Sequence, residues 1–185
     1  ANIALPSGVY WIRPGASLAP YQVYCDMDDK DENGNAGWTV IQRREANSSC
    51  FNFNQVWYNY RDGFGDLEQS HWLGNDKLYG ITQNVASQLK VDFMYMGNMY
   101  GAIYRTFAVG ATPQYALTIG GFVSSGRLTA KDILTVHNGA AFSTRDRDYD
   151  GYSYQNMASL YSSGWWWTNN GAVYSNLNGV YKPNG

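Results

Sequence analysis

The fold of this chain is decided by the stretch His137–Tyr161, HNGAAFSTRDRDYDGYSYQNMASLY. Its residues follow neither the spacing of a helix nor the alternation of a strand. Glycine, serine, asparagine and tyrosine remain frequent from there to the end of the sequence. A long region without regular structure is uncommon in a compact domain unless it has a function. We therefore expect a large, loop-rich C-terminal subdomain that carries the functional site.

Within this stretch, Asp146, Asp148 and Asp150 stand at alternate positions and are followed by Gly151. Calcium accepts about six to eight oxygen ligands in irregular geometry, so a loop that concentrates carboxylates is a candidate calcium site. The loop is not an EF-hand, because Met157 stands where a bidentate glutamate would be needed and the flanking residues lack helical periodicity. A solvated acidic turn is the alternative interpretation.

The composition bounds the class of protein. A length of 185 residues fits one domain, 1–185, with a substantial core. With 13 basic and 15 acidic residues, the sequence predicts no broad basic surface for nucleic acid, and no apolar run is long enough for a membrane span. The unusual feature is the aromatic content, 16 tyrosines and 7 tryptophans. Their flat apolar rings with polar groups favour an extracellular recognition domain over a cytosolic enzyme.

Catalytic and redox groups are scarce. The two histidines, His71 and His137, lie in no motif that places a base beside a nucleophile, so we expect no enzymatic activity. Two cysteines, Cys25 and Cys50, are too few for a structural zinc site. They either bridge each other or pair with a partner outside these residues, and the sequence leaves both alternatives open.

The remaining patterns predict an α+β fold, a small antiparallel sheet with short helices. An acidic hairpin loop is expected at 28–37 and a tight turn at Gly97-Asn98. Predicted helices are Asn52–Tyr60, stopped by Gly63, and Asp76–Ile81, capped by Asn75. Predicted strands are Ser7–Ile12, Tyr21–Met27, Trp38–Arg43, Leu89–Met96, Met99–Val109 and Tyr115–Ile119.

Several motifs, in order along nearly the whole sequence, resemble the fibrinogen-related (fibrinogen C-terminal-like) domain. They are YQVYCDM at 21–27, GWTVIQRR at 37–44, WYNYRDGFG at 57–65, WLGN at 72–75, VHNG at 136–139, FST at 142–144, GWW at 164–166 and SNLNG at 175–179. This extracellular family includes the C-terminal domains of fibrinogen, ficolins, tachylectins, angiopoietins and tenascins. In character the sequence is most similar to the ficolin and tachylectin lectins.

The resemblance implies a calcium site and a ligand pocket beside it. Asp148 and Asp150 would supply carboxylates, Tyr152 and Tyr154 backbone carbonyls, and Asp146 would brace the loop. The segment NMASLY at 156–161 is similar to the family's pocket motif. It implies a ligand site that comprises Tyr161, Ala158, Trp165, Trp166, Trp167 and Tyr174. Core packing is the alternative role for the tryptophans and for Tyr161.

The sequence also departs from the family pattern. Met157 replaces a cysteine, and NGAVY at 170–174 stands where the family has Cys-His, so the disulfide beside the pocket is missing. The family's N-terminal cysteine partner of Cys25 and its last C-terminal segment are also not found within 1–185. We expect calcium to carry more of the ordering of this loop, because a missing bridge loosens a loop.

The expected function is a secreted, calcium-dependent lectin for N-acetylated or sialylated glycans, of the innate-immune type. A homo-oligomer is expected, because single sugar sites bind weakly and multivalency supplies avidity. The alternative is an extracellular protein- or peptide-binding module with a structural calcium, as in angiopoietins or fibrinogen. A matrix domain in which calcium only stabilises the fold is a third interpretation.

Overall fold

The computed structural model describes residues 5–15, 18–30, 34, 36–45, 51–125, 128–129 and 131–180. Short helices and small, mainly antiparallel sheets build the α+β architecture that the sequence predicts. None of the helices in these ranges is long and apolar enough to cross a membrane. The C-terminal part holds only brief regular elements, as expected.

The N-terminal sheet contains β1 (Gly8–Ile12), β2 (Tyr21–Asp26) and β3 (Trp38–Val40), antiparallel in that order. Alternate residues of β2, Val23 and Cys25, are buried, which fixes the face that packs on the core. Cys25 is buried, and burial raises the pKa of its thiol. Because Cys50 lies outside the described residues, the Cys25–Cys50 pairing stays a prediction.

The predicted strand Trp38–Arg43 is in fact two strands in different sheets. β3 stays beside β2, whereas β4 (Gln42–Arg43) pairs with β6 (His71–Trp72), which also pairs with β5 (Phe64–Gly65). Between them, the carbonyl of Ile41 accepts the amide of Leu73 at 2.9 Å, so the backbone passes from one sheet to the other at this residue.

Two helices flank this small sheet. α1 (Trp57–Asp62) begins later than predicted and ends at Gly63, whose φ is 98°. α2 is Asn75–Thr82. Asn75 does not cap α2 as predicted, because its Oδ1 accepts the indole Nε1–H of Trp72 at 3.1 Å instead.

A long hairpin forms the next sheet. β7 (Leu89–Tyr95) and β8 (Asn98–Val109) are antiparallel, and β8 also pairs with β9 (Leu117–Ser124) and β10 (Leu128–Thr129). The hairpin turn lies one residue earlier than predicted, at Met96-Gly97, where φ is 48° and 75°. Positive φ at both positions is the geometry that joins tightly paired strands.

The C-terminal subdomain carries a single turn of 3₁₀-helix (Thr135–His137), β11 (Phe142–Ser143), α3 (Met157–Leu160) and β12 (Trp165–Trp166). β11 and β12 pair antiparallel, so the long loop between them starts and ends on buried backbone. This pairing presents the acidic loop on a rigid base.

An aromatic cluster joins the subdomain to the rest of the fold. Phe142 lies 5.1 Å from Tyr60, 5.1 Å from Trp166 and 6.0 Å from Trp72, measured between ring centroids. Buried Phe, Tyr and Trp rings dominate core energetics, and each such pair contributes about 1 kcal/mol beyond area burial. The acidic loop is therefore anchored to the same core that holds α1 and β6.

Candidate functional site

Asp146 joins the acidic loop to α1. Its Oδ1 accepts the backbone amide of Trp57 at 2.9 Å and the hydroxyl of Thr144 at 2.8 Å. The N-cap residue of α1 is Val56, whose side chain accepts no hydrogen bond from the first amides of the helix. An acidic cap at a helix start contributes about 1 kcal/mol. This geometry suits the supporting role predicted for Asp146.

Asp150 is the buried carboxylate of the loop, only 4% exposed. Its Oδ1 accepts the amide of Tyr152 at 2.7 Å, and its Oδ2 accepts the amide of Met157 at 2.9 Å. Asp148 is exposed, and its Oδ1 accepts the amide of Asp150 at 3.2 Å. The two predicted carboxylate ligands therefore lie side by side.

The pKa of Asp150 is raised, chiefly by burial and further by the neighbouring carboxylate of Asp148. The amides of Met157 and Tyr152 oppose that shift without cancelling it. A buried carboxylate beside a like charge is stabilised by a cation. In the described ranges no three or more His, Cys, Asp or Glu side chains cluster to hold a metal, so a cation at Asp148 and Asp150 would have to take its other ligands from backbone carbonyls or water. That oxygen-only donor set fits calcium rather than zinc.

Tyr152 and Tyr154 follow Asp150 and differ in exposure. The Tyr152 ring is half-buried against the core, whereas Tyr154 is 84% exposed, with 5.3 Å between their ring centroids. Their predicted role as carbonyl ligands stays a prediction.

Asn156 connects the loop to α3. Its Oδ1 caps the helix by accepting the amide of Ser159 at 2.9 Å, and its Nδ2 donates to the carbonyl of Thr144 at 3.0 Å. Met157 and Ala158 then point into the core, 1% and 0% exposed. Ala158 therefore packs in the core beneath the loop surface, and its methyl group is not accessible to a ligand. This corrects its predicted role in ligand binding.

Tyr161 is one of two predicted ligand residues whose side chains the structure leaves exposed, the other being Tyr174. Tyr161 is 39% exposed, and its ring stacks on Trp167 with 5.3 Å between centroids and 25° between planes. The next residue, Ser162, has a φ of 53°, an uncommon conformation for a residue with a side chain. Tyr161 therefore lies on a rigid aromatic base at a strained turn.

The three tryptophans do not form an open pocket wall. Trp165, Trp166 and Trp167 are 3%, 4% and 1% exposed. Trp166 donates its Nε1–H to the carbonyl of Tyr115 at 2.8 Å and packs on Phe142. The implied role of these tryptophans as a pocket wall or stacking surface is corrected: core packing, the alternative, describes all three.

Tyr174 is 52% exposed and lies edge-on to the ring of His137. His137 is fully buried, with Nδ1 2.8 Å from the carbonyl of Trp166 and Nε2 3.1 Å from the hydroxyl of Ser175. Because a carbonyl only accepts, Nδ1 carries the proton of the neutral ring. This histidine is a structural link rather than a catalytic base.

Sequence reasoning missed two exposed apolar side chains near these tyrosines, Leu160 and Val173, because an aliphatic residue within a motif gives no local sign that it is exposed. We use the name tyrosine face for the exposed set on 152–154, 160–161 and 171–174. Segments 152–154 and 171–174 meet where Tyr152 lies on Gly171, and Tyr161 stacks on Trp167, four residues before Gly171. The members of the tyrosine face are Tyr154, Leu160, Tyr161, Val173 and Tyr174.

His137 predicts a pH dependence of stability. Burial lowers its pKa, although the carbonyl of Trp166 opposes the shift. The folded protein then binds this proton more weakly than the unfolded protein does. The stability that neutral His137 contributes to the folded state is fully present above the ordinary histidine pKa of about 6.5. It is lost as the pH falls from there through the lower pKa of the folded protein. We expect the urea midpoint to drop between about pH 7 and pH 5.

The control for this effect is His137→Gln, because comparison with it removes the contribution of the acidic groups. The variant should show a smaller drop over the same pH range. A wild-type midpoint that stays constant or rises on acidification contradicts the prediction.

Comparison with known proteins identifies the class to which this fold and site belong. The family model described as fibrinogen beta and gamma chains, C-terminal globular domain, matches residues 2–185. The protein belongs to this family of fibrinogen-like domains.

Similar proteins and structures agree. Human fibrinogen C domain-containing protein 1 is 43% identical over 182 residues, which cover 94% of this chain and 36% of that protein. Fibrinogen-like protein A of Apostichopus parvimensis is 41% identical, covering 95% of this chain and 59% of that protein. The fibrinogen-like globe domain of human ANGPTL2 superposes with a TM-score of 0.87 at 33% identity, covering 100% of this chain and 80% of that one. The chain thus spans less than two thirds of the length of the human and the Apostichopus relatives.

Proposed function

We propose that the protein is an extracellular binding module whose acidic loop holds a structural calcium ion and whose tyrosine face recognises a partner protein. The observation that carries the proposal is the tyrosine face itself: exposed apolar and aromatic side chains placed on segments that the acidic loop braces. Secretion and assembly into a homo-oligomer are parts of the same proposal, the latter because avidity strengthens weak single sites.

The calcium ion would neutralise Asp148 and Asp150 and hold the loop 146–157 in one conformation. Asp146 ties this loop to α1, and Asn156 ties it to α3. These residues position the tyrosine face and do not contact the partner. The sharpest support for a cation is the buried, like-charged surroundings of Asp150.

A protein partner suits the surface better than a sugar. Tyr174 and Leu160 are 52% and 51% exposed, and Tyr154 is 84% exposed. Tyrosine is enriched at protein interfaces, and a few such residues carry most of the binding energy. The tryptophans expected to enclose an acetyl group are buried in the core instead.

An N-acetylated glycan is the second candidate ligand. It is favoured by Tyr161, whose half-open ring is stacked on Trp167 beside the lectin-like segment 156–161. A simple competition assay distinguishes a lectin from a protein-binding module, because free N-acetylated sugars inhibit ligand binding only by the lectin.

For the test, the protein is biotinylated and displayed on tetrameric streptavidin. The tetramer is then applied, in calcium or in chelator, to a panel of extracellular receptor domains and to a glycan array. Tyr161→Ala and Tyr174→Ala should each weaken protein binding about tenfold or more, the cost of a hot-spot residue. The matched control is Tyr95→Ala, because Tyr95 is 49% exposed on the β7 hairpin, away from the acidic loop.

Protein binding that survives excess N-acetylglucosamine and is lost in chelator supports the proposal. Binding only to N-acetylated glycans assigns the second candidate instead. Binding that is indifferent to both tyrosine substitutions contradicts both.

A further inference from the structure

Tyr152 and Gly171 make an unusually close contact between two loops of the subdomain. A Cβ atom at Gly171 would lie 2.7 Å from Cζ of Tyr152 and 3.0 Å from its hydroxyl. Gly171 has a φ of 70°, a backbone conformation that is unfavourable for any residue with a side chain. The tyrosine ring therefore rests directly on the glycine backbone.

One end of this contact belongs to the acidic loop. The amide of Tyr152 donates to Oδ1 of Asp150 at 2.7 Å, so the backbone that carries the ring is bonded to a proposed calcium ligand. The ring itself packs on the core and lies 5.3 Å from that of Tyr154. Tyr152 therefore connects the acidic loop, through its backbone, to Gly171, through its ring.

The other end belongs to a tight turn. Oδ1 of Asn170 accepts the hydroxyl of Thr168 at 2.7 Å and the amide of Ala172 at 3.0 Å. The turn directly follows Trp167, on which Tyr161 stacks, and precedes Tyr174 by two residues. Displacement of this turn must therefore change the support of two members of the tyrosine face.

We propose that Tyr152 and Gly171 are positioning residues that couple cation binding at the acidic loop to the order of the tyrosine face. This rests on the proposed function, since it takes calcium as the cation and the tyrosine face as the recognition surface. By linkage, a cation that orders the loop strengthens partner binding, and a bound partner strengthens cation binding by the same factor. Tyr152 thus has two roles, with its backbone in the cation site and its ring against the turn.

A double-mutant cycle in chelator tests the contact itself. In the wild-type background, Gly171→Ala should lower the melting temperature more than Gly139→Ala, because Gly139 has a φ of 81° and no atom within 4 Å of its added Cβ. In the Tyr152→Ala background, the cost of Gly171→Ala should fall to that of Gly139→Ala, since only backbone strain remains.

Hydrogen–deuterium exchange tests the coupling, and a merely structural contact would not move this result. In the wild-type protein, added calcium should slow amide exchange about fivefold or more, a typical coupling, in both 150–157 and 168–172. In Gly171→Ala, which pushes the ring of Tyr152 away without changing the acidic loop, calcium should still slow exchange in 150–157, while the effect on 168–172 should be lost.

The outcomes separate the inference from the proposed function. Equal slowing of 168–172 in the wild type and in Gly171→Ala overturns the coupling while leaving the calcium site intact. No slowing of 150–157 in the wild type overturns the calcium site and the coupling together. Additive costs in the cycle show that ring and glycine do not interact, and this too overturns the inference.

Discussion

Asp150→Ala is expected to lower the free energy of unfolding by about 2–4 kcal/mol and to abolish stabilisation by calcium. The substitution leaves the part-buried amide of Tyr152 and the buried amide of Met157 without an acceptor, and an unsatisfied buried group costs about 1–3 kcal/mol. Removing a buried charge acts in the opposite direction, because burial and Asp148 disfavour the ionised form. The two lost acceptors outweigh that gain.

Asp150→Asn separates these two effects. The amide keeps one acceptor and removes the charge, so in chelator it should cost much less than alanine does. In calcium at about one hundred times its dissociation constant, the wild type gains about 2.7 kcal/mol and neither variant gains anything. Urea denaturation with and without calcium measures both quantities.

The control for this pair is Asp66→Ala. Asp66 is exposed and accepts a turn amide, that of Glu68 at 2.9 Å, so its loss should cost about 0.5–1 kcal/mol and leave the calcium effect unchanged. If Asp150→Ala costs no more than Asp66→Ala, the buried carboxylate does not organise the loop.

Gly63→Ala is expected to destabilise the fold by about 3 kcal/mol or more. Its φ is 98°, and an added Cβ would lie 2.3 Å from the carbonyl oxygen of Leu73. With a ψ of 157°, Gly63 lies in an extended positive-φ region that costs a residue with a side chain about 1–3 kcal/mol, and forcing apart packed backbone costs about 1–3 kcal/mol more. Thermal unfolding of the variant measures the sum.

Gly97→Ala isolates the conformational part of this cost. Gly97 has a φ of 75° but no atom within 4 Å of an added Cβ, so its replacement should cost only about 1–2 kcal/mol. Equal melting temperatures for the two variants would mean that the contact of Gly63 with the β6–α2 connection is not tight.

The local pattern of the sequence is enough to predict the hairpin of β7 and β8 and the end of α1 at Gly63, because turns and helix stops depend on neighbouring residues. It is not enough to divide Trp38–Arg43 between two sheets. That division depends on the hydrogen bond between Ile41 and Leu73, residues far apart in the sequence.

The candidate site shows the same limit. The carboxylates of Asp148 and Asp150 stand out in the sequence, and the structure places them side by side. Asp146 caps α1 across 89 residues, which no local signal reveals. Residue type alone does not predict whether Trp165–Trp167 and Tyr161 lie in the core or at the surface, because aromatic rings are common in both. Burial, set by the β11–β12 pairing, assigns the tryptophans to the core.

Isothermal titration with calcium chloride tests the central claim, a cation held by the acidic loop, most directly. We expect the wild type and Asp66→Ala to bind one calcium ion per molecule with the same affinity. Asp148→Asn and Asp150→Asn should each give no heat of calcium binding. No binding to the wild type, or binding that survives both substitutions, would contradict the claim.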